Sequence, residues 1–437
     1  MRSVIDTILS DFQQRELPAL VRRDAPFPEM EGKASVVTGM RRSGKTWYCY
    51  QRIADLLASG VDRSQVLYLN FEDDRFIDFS LRDFQTLLDV FFARWPQNKS
   101  RRCYFFFDEI QTVDKWERFV RRLLDTENVG VALTGSSSKM LATDIATGLR
   151  GRTRVRELSP FSFREFLSAT GAFSEVPDHP GSRDAAKLRH ALAAYLSVGG
   201  FPETLRVDPS VRREIVQGYV ETVLFKDVVE RHKVSNVLAL RHLIAAVLGA
   251  PGQVFSVNKF FNTLKSKGIP CTKNALYDYL GHLEDAHFLH RLPFHSPSVR
   301  VRQVNPEKVY ANDTALHGLL LAGEDRSVGQ LLETAVFLQL RREQLTLSYL
   351  HARDGHEIDF VATDEATGDT RLIQVCADLS NSETLARELR PFVALPPEFA
   401  DAEKLIVTLD DERNFDNGVR AVPAWRFLLG TRKGGTP

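Results

Sequence analysis

Residues Gly39 to Thr46 read Gly-Met-Arg-Arg-Ser-Gly-Lys-Thr and match the spacing G-x-x-x-x-G-K-S/T. That spacing is a cradle for phosphate. Glycines at both ends let the backbone curl until the N–H groups of the loop, those of Arg42, Ser43 and Gly44 included, converge on phosphate oxygens. The Lys45 ammonium then reaches the β and γ phosphates, and the Thr46 hydroxyl can ligate Mg²⁺. A second chemical pair, Asp108 and Glu109, follows the apolar run Cys103 to Phe107. Phosphoryl transfer to water needs positioning and charge neutralisation more than covalent chemistry. Asp108 suits the Mg²⁺ shell together with Thr46, and Glu109 suits orienting and polarising an attacking water.

Other positions leave two roles open. Ser136 follows the apolar run Val129 to Thr134, where a hydroxyl could sense a terminal phosphate or cap a helix. Arg150 and Arg152 could reach a nucleotide held by a neighbouring subunit, which requires an oligomer, or pair internally with Glu157 or Glu165. Glu72 could approach the water, but capping the turn that follows it ranks first.

The elements that must position these groups are legible as alternating runs. Ala34 to Thr38 is an apolar strand before the loop. Trp47 to Ala58 is a helix after it, with Tyr50, Ile53, Ala54, Leu56 and Leu57 as its apolar residues. Strands are expected at Gln65 to Phe71, Cys103 to Phe107, Val129 to Thr134 and Arg154 to Leu158, separated by helical stretches. Such alternation implies right-handed βαβ crossovers and a doubly wound parallel sheet with its ligand at the carboxyl ends of the strands. Cys103 to Phe107 is apolar throughout, as a central strand covered on both faces should be.

A strand inserted between the loop strand and the one ending in Asp108, with a glutamate directly after that aspartate, marks the additional-strand class of P-loop ATPases. The chain resembles the bacterial and archaeal AAA+-type ATPase family that carries a nuclease-like C-terminal domain of unknown function. The resemblance is carried by Gly39–Thr46, Asp108-Glu-Ile-Gln111 with Trp116, Leu133–Ser138, Leu149-Arg-Gly-Arg152, Leu158–Phe166 and Gly199-Gly-Phe-Pro-Glu203. It continues through Leu283-Glu-Asp285, Lys308–Asp313, Glu357-Ile-Asp-Phe360 and Ile373–Cys376. It implies an ATPase core of α/β fold at 1–160, a helical lid at 161–250, a winged helix at 251–328 and a PD-(D/E)XK nuclease-like α/β domain at 329–437. ATP and Mg²⁺ are the implied cofactors, with Lys45, Glu109, Arg150 and Arg152 as catalytic candidates.

In the third segment, Phe255 to Lys267 and Thr272 to His287 read as two amphipathic helices. Thr272 is placed to cap the second, and Phe288 to Arg302 reads as a β-hairpin wing. Lys273, Asn274 and Tyr277 would share one helix face, with Arg300 and Arg302 on the wing. That suits phosphate contacts to duplex DNA, although Asp278, Glu284 and Asp285 on the same helix also suit a solvated or protein-binding face. In the last segment, Glu333 on a helix joins Glu357 and Asp359 on one face of a strand, with Gln374 and Cys376 sharing a face of the next. Active nucleases of this fold show Glu-x-Lys at the last pair. Gln-Val-Cys lacks one anionic ligand and the only cation, so the domain is expected to bind or scaffold without cutting.

Bulk properties set the frame. At 437 residues the chain is too long for one core, and 43% hydrophobic with 26% charged residues is globular composition. Lys plus Arg equals Asp plus Glu at 57 each, so no whole-molecule field favours nucleic acid or a membrane surface. No run approaches the roughly 20 apolar residues of a spanning helix and no signal-peptide pattern opens the chain, so a cytoplasmic protein with no membrane partner is expected. The four cysteines lie far apart without metal spacing, as reduced and mostly buried thiols. The favoured function is a Mg²⁺-dependent ATPase that acts on DNA as a homo-oligomer in its ATP state. The alternative is a nucleotide-dependent switch with a protein partner, and an active nuclease comes third.

Overall fold

The computed structural model describes residues 1–137, 148–149, 151–320 and 327–430. It divides into two compact units, Met1–Leu158 with Asp285–His287, and Ser159–Glu284 with Phe288–Pro437. The segments expected as lid, winged helix and nuclease-like domain fall in the second, except for Asp285–His287, which group with the first.

The first unit contains α1 (Arg2–Gln14), β1 (Ala34–Thr38), α2 (Lys45–Ala58), β2 (Val66–Asn70), α3 (Asp83–Arg94), β3 (Cys103–Asp108), α4 (Trp116–Thr126), β4 (Val129–Gly135) and β5 (Thr153–Glu157). Its sheet runs β2-β3-β4-β1-β5 and every pairing is parallel. Alternation along the strands feeds two apolar layers. Val36, Leu67, Leu69, Phe105 and Phe107 pack with Phe84 and Phe91 of α3 and Trp116 and Phe119 of α4. Val66, Tyr68, Phe106 and Ala132 pack with Cys49, Ile53 and Leu56 of α2. A sheet covered on both faces explains why β1 is buried at every position. Each such side chain contributes about 1.5–3 kcal/mol on burial, so the carboxyl ends of β1, β4 and β3 form a rigid row.

The second unit starts with α5 (Phe163–Thr170), α6 (Ser182–Val198), α7 (Pro209–Thr222), a π-helical stretch Val223–Glu230, and α8 (Val237–Gly249). Ser162 and Glu165 form a capping box on α5, each side chain accepting the other's backbone N–H. Next come β6 (Val254–Phe255), α9 (Val257–Ser266), α10 (Lys273–Asp285), β7 (Leu289–Leu292), α11 (Val299–Val304), β8 (Glu307–Ala311) and α12 (Thr314–Leu320). β6, β8 and β7 form an antiparallel sheet in that order. The expected wing through Arg302 is corrected: β7 stops at Leu292, and Arg300 and Arg302 lie on the short helix α11. The Pro297-Ser298 step is a helix start, with Ser298 Oγ accepting the Val301 N–H at 3.4 Å.

The unit closes with α13 (Val328–Arg342), β9 (Thr346–His351), β10 (Glu357–Thr363), β11 (Thr370–Val375), α14 (Ser382–Leu389), β12 (Glu403–Thr408), β13 (Arg413–Asn414), β14 (Val419–Pro423) and α15 (Ala424–Leu428). These strands make a mixed sheet, β13-β14-β12-β11-β10-β9. Phe163, Phe166 and Tyr195 share one core with Tyr310, Phe337, Phe360 and Trp425, and Tyr310 stacks on Phe337 with ring centroids 4.1 Å apart. Among the described residues no helix is long and apolar enough to cross a membrane, and the four cysteines form no disulfide.

Candidate active site

The loop after β1 meets steric limits that only its own residues satisfy. A Cβ on Gly39 (φ +153°) would lie 2.3 Å from the Leu158 carbonyl oxygen. Arg42 (φ 68°) and Gly44 (φ 96°) are both left-handed, the alternation that curls successive N–H groups into an anion-binding nest. Gly44 is the N-cap of α2, whose first-turn N–H groups have no partner within the helix. Arg23 braces the loop by donating to the Ser43 carbonyl at 2.9 Å.

Lys45 is buried. Its ammonium donates to the carbonyls of Gly39 at 3.1 Å and Met40 at 3.4 Å and pairs with Glu109 Oε1 at 3.2 Å. Asp108, only 1% exposed, accepts from Thr46 Oγ1 at 2.6 Å, Tyr68 OH at 2.8 Å and the Thr134 hydroxyl. That threonine also accepts the Glu109 N–H at 2.9 Å, so one hydroxyl sets both carboxylates. Glu109 itself is left-handed (φ 53°, ψ 44°), a backbone cost of the kind that accumulates at functional positions. Its Oε2 accepts from Gln111 Nε2 at 2.5 Å.

The neighbouring acids are driven apart. Burial pushes the Asp108 carboxyl above its usual range and the Glu109 charge adds to this, against three hydroxyl donors. Burial acts on Glu109 in the same sense, yet the Lys45 ammonium and the Gln111 amide outweigh it and hold that carboxyl below its ordinary value. Divergent environments of this sort divide labour between two acids. Asp108 is a desolvated carboxyl whose charged form is best served by a cation, and with Thr46 it offers the hard oxygen donors that Mg²⁺ prefers. Glu109 is kept charged and aimed, as a water-orienting base must be.

The flanking expectations fare differently. Ser136 is fully buried just past β4, and beside it Ser137 Oγ donates to Asp285 Oδ1 at 2.8 Å. Arg150 lies outside the described residues. Arg152 pairs with Asp125, not with Glu157 or Glu165, and both partners are about half exposed. Glu72 does not cap its turn; it pairs with Arg41 at 2.7 Å, and Asp73 accepts the Arg75 N–H instead. Tyr68 and Thr134 were missed in the sequence. Their signal was a polar side chain inside a buried strand, which must find a partner, but the partner follows only from strand register.

In the second unit, Glu333 of α13, Glu357 and Asp359 of β10 and Gln374 of β11 come together, while Cys376 falls beyond the strand end and packs among Leu350, Ile358 and Leu372. The loss of the only cation is also corrected. Lys308 of β8 enters the cluster at 2.7 Å from Glu357, 3.0 Å from Asp359 and 3.2 Å from Glu333. A lysine leading into the apolar run Val309-Tyr310-Ala311 is a signal for a buried ionic partner, though the sequence does not say which. Gln374 accepts the Asp359 N–H at 3.3 Å and donates to Glu388 at 2.8 Å. Thr272 accepts the Ala275 N–H at the start of α10. Lys273, Asn274 and Tyr277 are exposed along that helix, as are Arg300 and Arg302 on α11.

Residues 31–167 match a family model described as an AAA domain, and residues 189–327 and 328–427 match two models described as domains of unknown function. The chain is 31% identical to an uncharacterized protein of Methanocaldococcus jannaschii, across 97% of this chain and 94% of that one. It is 29% identical to an uncharacterized protein of Haemophilus influenzae, across 75% and 78%. Among solved structures it is similar to a Walker-type ATPase of Pyrococcus abyssi, with 15% identity, 73% and 95% coverage and a TM-score of 0.44. It is also similar to the Orc1 protein of Aeropyrum pernix in complex with DNA, with 15% identity, 74% and 91% coverage and a TM-score of 0.28.

Proposed function

The chain belongs to the family of the Methanocaldococcus jannaschii protein with which it aligns over almost its whole length, and on that premise we propose that its AAA domain at residues 31–167 is a Mg²⁺-dependent ATPase. What carries this reading is the convergence of Lys45, Thr46, Asp108 and Glu109 within hydrogen-bonding range at the carboxyl ends of β1 and β3. Phosphates are bound by the loop amides and the positive end of α2. Mg²⁺, when bound, neutralises charge on the phosphate oxygens, and Thr46 and Asp108 are the residues that would hold it. Lys45 exchanges Glu109 for phosphate oxygens as ATP enters. The released Glu109, still steered by Gln111 and Thr134, accepts a hydrogen bond from the attacking water and takes its proton. Ser136 senses the terminal phosphate, and Arg150 or Arg152 serves the site of a neighbouring subunit in an ATP-state oligomer. Steady-state hydrolysis tests the core of this: Lys45→Ala should abolish nucleotide binding and turnover. Calorimetry that detects no heat from adenine nucleotides with the intact protein would overturn it.

Nucleotide state is coupled, in the same proposal, to a C-terminal half that acts on DNA. Residues 251–328 are read as a winged helix built on α9 and α10, with the sheet β6-β8-β7 in the same segment. Exposed Lys273, Asn274, Tyr277, Arg300 and Arg302 would contact the nucleic acid. Residues 329–437 are read as a nuclease-like scaffold that does not cut. A second reading, a nucleotide switch with a protein partner, draws on α11, where Val299 (57%) and Val304 (73%) are exposed beside the arginines. Titration with duplex, junction and single-stranded DNA over a salt series separates the two, because phosphate contacts release counterions and give a steep salt dependence. DNA cleavage abolished by Asp359→Ala would sink the non-cutting assignment.

A further inference from the structure

Lys308 is 2% exposed and sits at the focus of three carboxylates that arrive from two different elements. An ammonium has three N–H donors. Here three acceptor oxygens, Glu357 Oε1 at 2.7 Å, Asp359 Oδ1 at 3.0 Å and Glu333 Oε1 at 3.2 Å, lie within reach of it. These are hydrogen-bond lengths, longer than the roughly 2.0–2.6 Å of Mg²⁺ or Ca²⁺ bonds to oxygen. One point cannot serve both cations.

The surroundings fix that choice. Alternation along β8 puts Tyr310 on the same face as Lys308, and its hydroxyl donates to the same Glu333 oxygen at 2.7 Å. The second oxygen of Asp359 accepts the Val375 N–H at 2.9 Å. Asp359 therefore has both oxygens engaged. A Cβ on Gly252 would lie 2.7 Å from Glu333 Oε1, so backbone closes over that carboxyl as well.

We propose that Lys308 is the resident cation of this cluster: its ammonium occupies the point on which Glu333, Glu357 and Asp359 converge, so the C-terminal half takes no divalent metal there while that side chain is present. One ammonium faces three carboxylates, and Glu357 Oε2 also lies 3.5 Å from His351 Nε2. Burial and the neighbouring Asp359 push the Glu333 carboxyl above its usual range, despite Lys308 beside it. Removing the ammonium should convert the cluster into a site of three hard oxygen donors that a divalent cation can enter. The inference is independent of the ATPase reading, since none of these residues belongs to the nucleotide cradle.

Mn²⁺ is the probe, titrated into full-length, nucleotide-free protein with free ion read by electron paramagnetic resonance. Thr46→Ala defines any background from the cradle. Asp359→Asn should leave the Mn²⁺ stoichiometry of the wild type unchanged. Lys308→Ala should gain a single additional Mn²⁺ per chain, lost again in the Lys308→Ala/Asp359→Asn double variant. If Lys308→Ala folds only when Mn²⁺ is present, that rescue is the same gain in another form. Wild-type Mn²⁺ binding that disappears in Asp359→Asn overturns the proposal, as does a folded Lys308→Ala protein that gains no ion.

Discussion

Replacing Glu109 with glutamine should separate nucleotide binding from turnover. The Lys45 ammonium is shared between Glu109 Oε1 at 3.2 Å and two loop carbonyls. Glutamine keeps the side-chain volume and an oxygen for Gln111 but removes the charge. At this separation and an effective dielectric of about 20, the attraction between the two charges is about 5 kcal/mol. Desolvation of two buried ions offsets most of it, leaving a net pairing of the order of 1 kcal/mol. Since ATP must draw Lys45 away from Glu109, losing that competitor should tighten the Kd for ATP by up to about tenfold. Turnover moves the other way, because removing a general base costs about 10²- to 10⁴-fold in rate. Titration with a fluorescent ATP analogue gives the first quantity, and phosphate release at saturating ATP and Mg²⁺ gives the second. Wild-type turnover in the variant would refute Glu109 as the water-activating residue. Weaker ATP binding would refute the idea that its pair with Lys45 competes with phosphate.

Three further outcomes follow from the geometry. Gly39→Ala forces a Cβ to 2.3 Å from the Leu158 carbonyl oxygen, so the loop must shift and ATP affinity should fall even where circular dichroism shows a folded chain. Burial pushes the Asp313 carboxyl up to about 6, against the N–H groups of Gly200 and Ala315. Because the folded protein then keeps a proton that the unfolded chain has released, this group's contribution is full below about pH 4. It is lost as pH rises through about 6, by up to about 3 kcal/mol; urea midpoints of wild type and Asp313→Asn should therefore converge or cross over that interval, and parallel curves would exclude it. Arg152→Ala breaks an exposed pair worth at most about 1 kcal/mol, so its melting temperature should stay put. Unchanged hydrolysis at protein concentrations where an oligomer forms would remove Arg152 as a residue acting across subunits.

Legibility in the sequence tracked how local each feature is. The cradle was readable because its groups lie within eight consecutive residues and its neighbours are a fully buried strand and a helix. The order β2-β3-β4-β1-β5 agrees with the doubly wound parallel sheet expected from alternating runs. Errors arose where a short signal had two meanings. Phe288 to Arg302 reads as a hairpin wing, but Ser298 caps a helix there, which puts Arg300 and Arg302 on α11 and not on a strand. Glu72 stands where a cap for the following turn is expected, but Arg41, 31 residues away in the chain, captures it.

Composition, spacing and periodicity were enough to mark an α/β core of P-loop type, and to single out Gly39–Thr46 and Asp108-Glu109 as the side chains proposed for its chemistry. Tertiary structure alone decided who meets those side chains. Thr134 reaches Asp108 across 26 positions, and Lys308 reaches Asp359 across 51. The physical reason is that a buried charge must be compensated, yet its partner is chosen by strand register and sheet order. Those follow from burial summed over the whole unit, which no short window of residues contains.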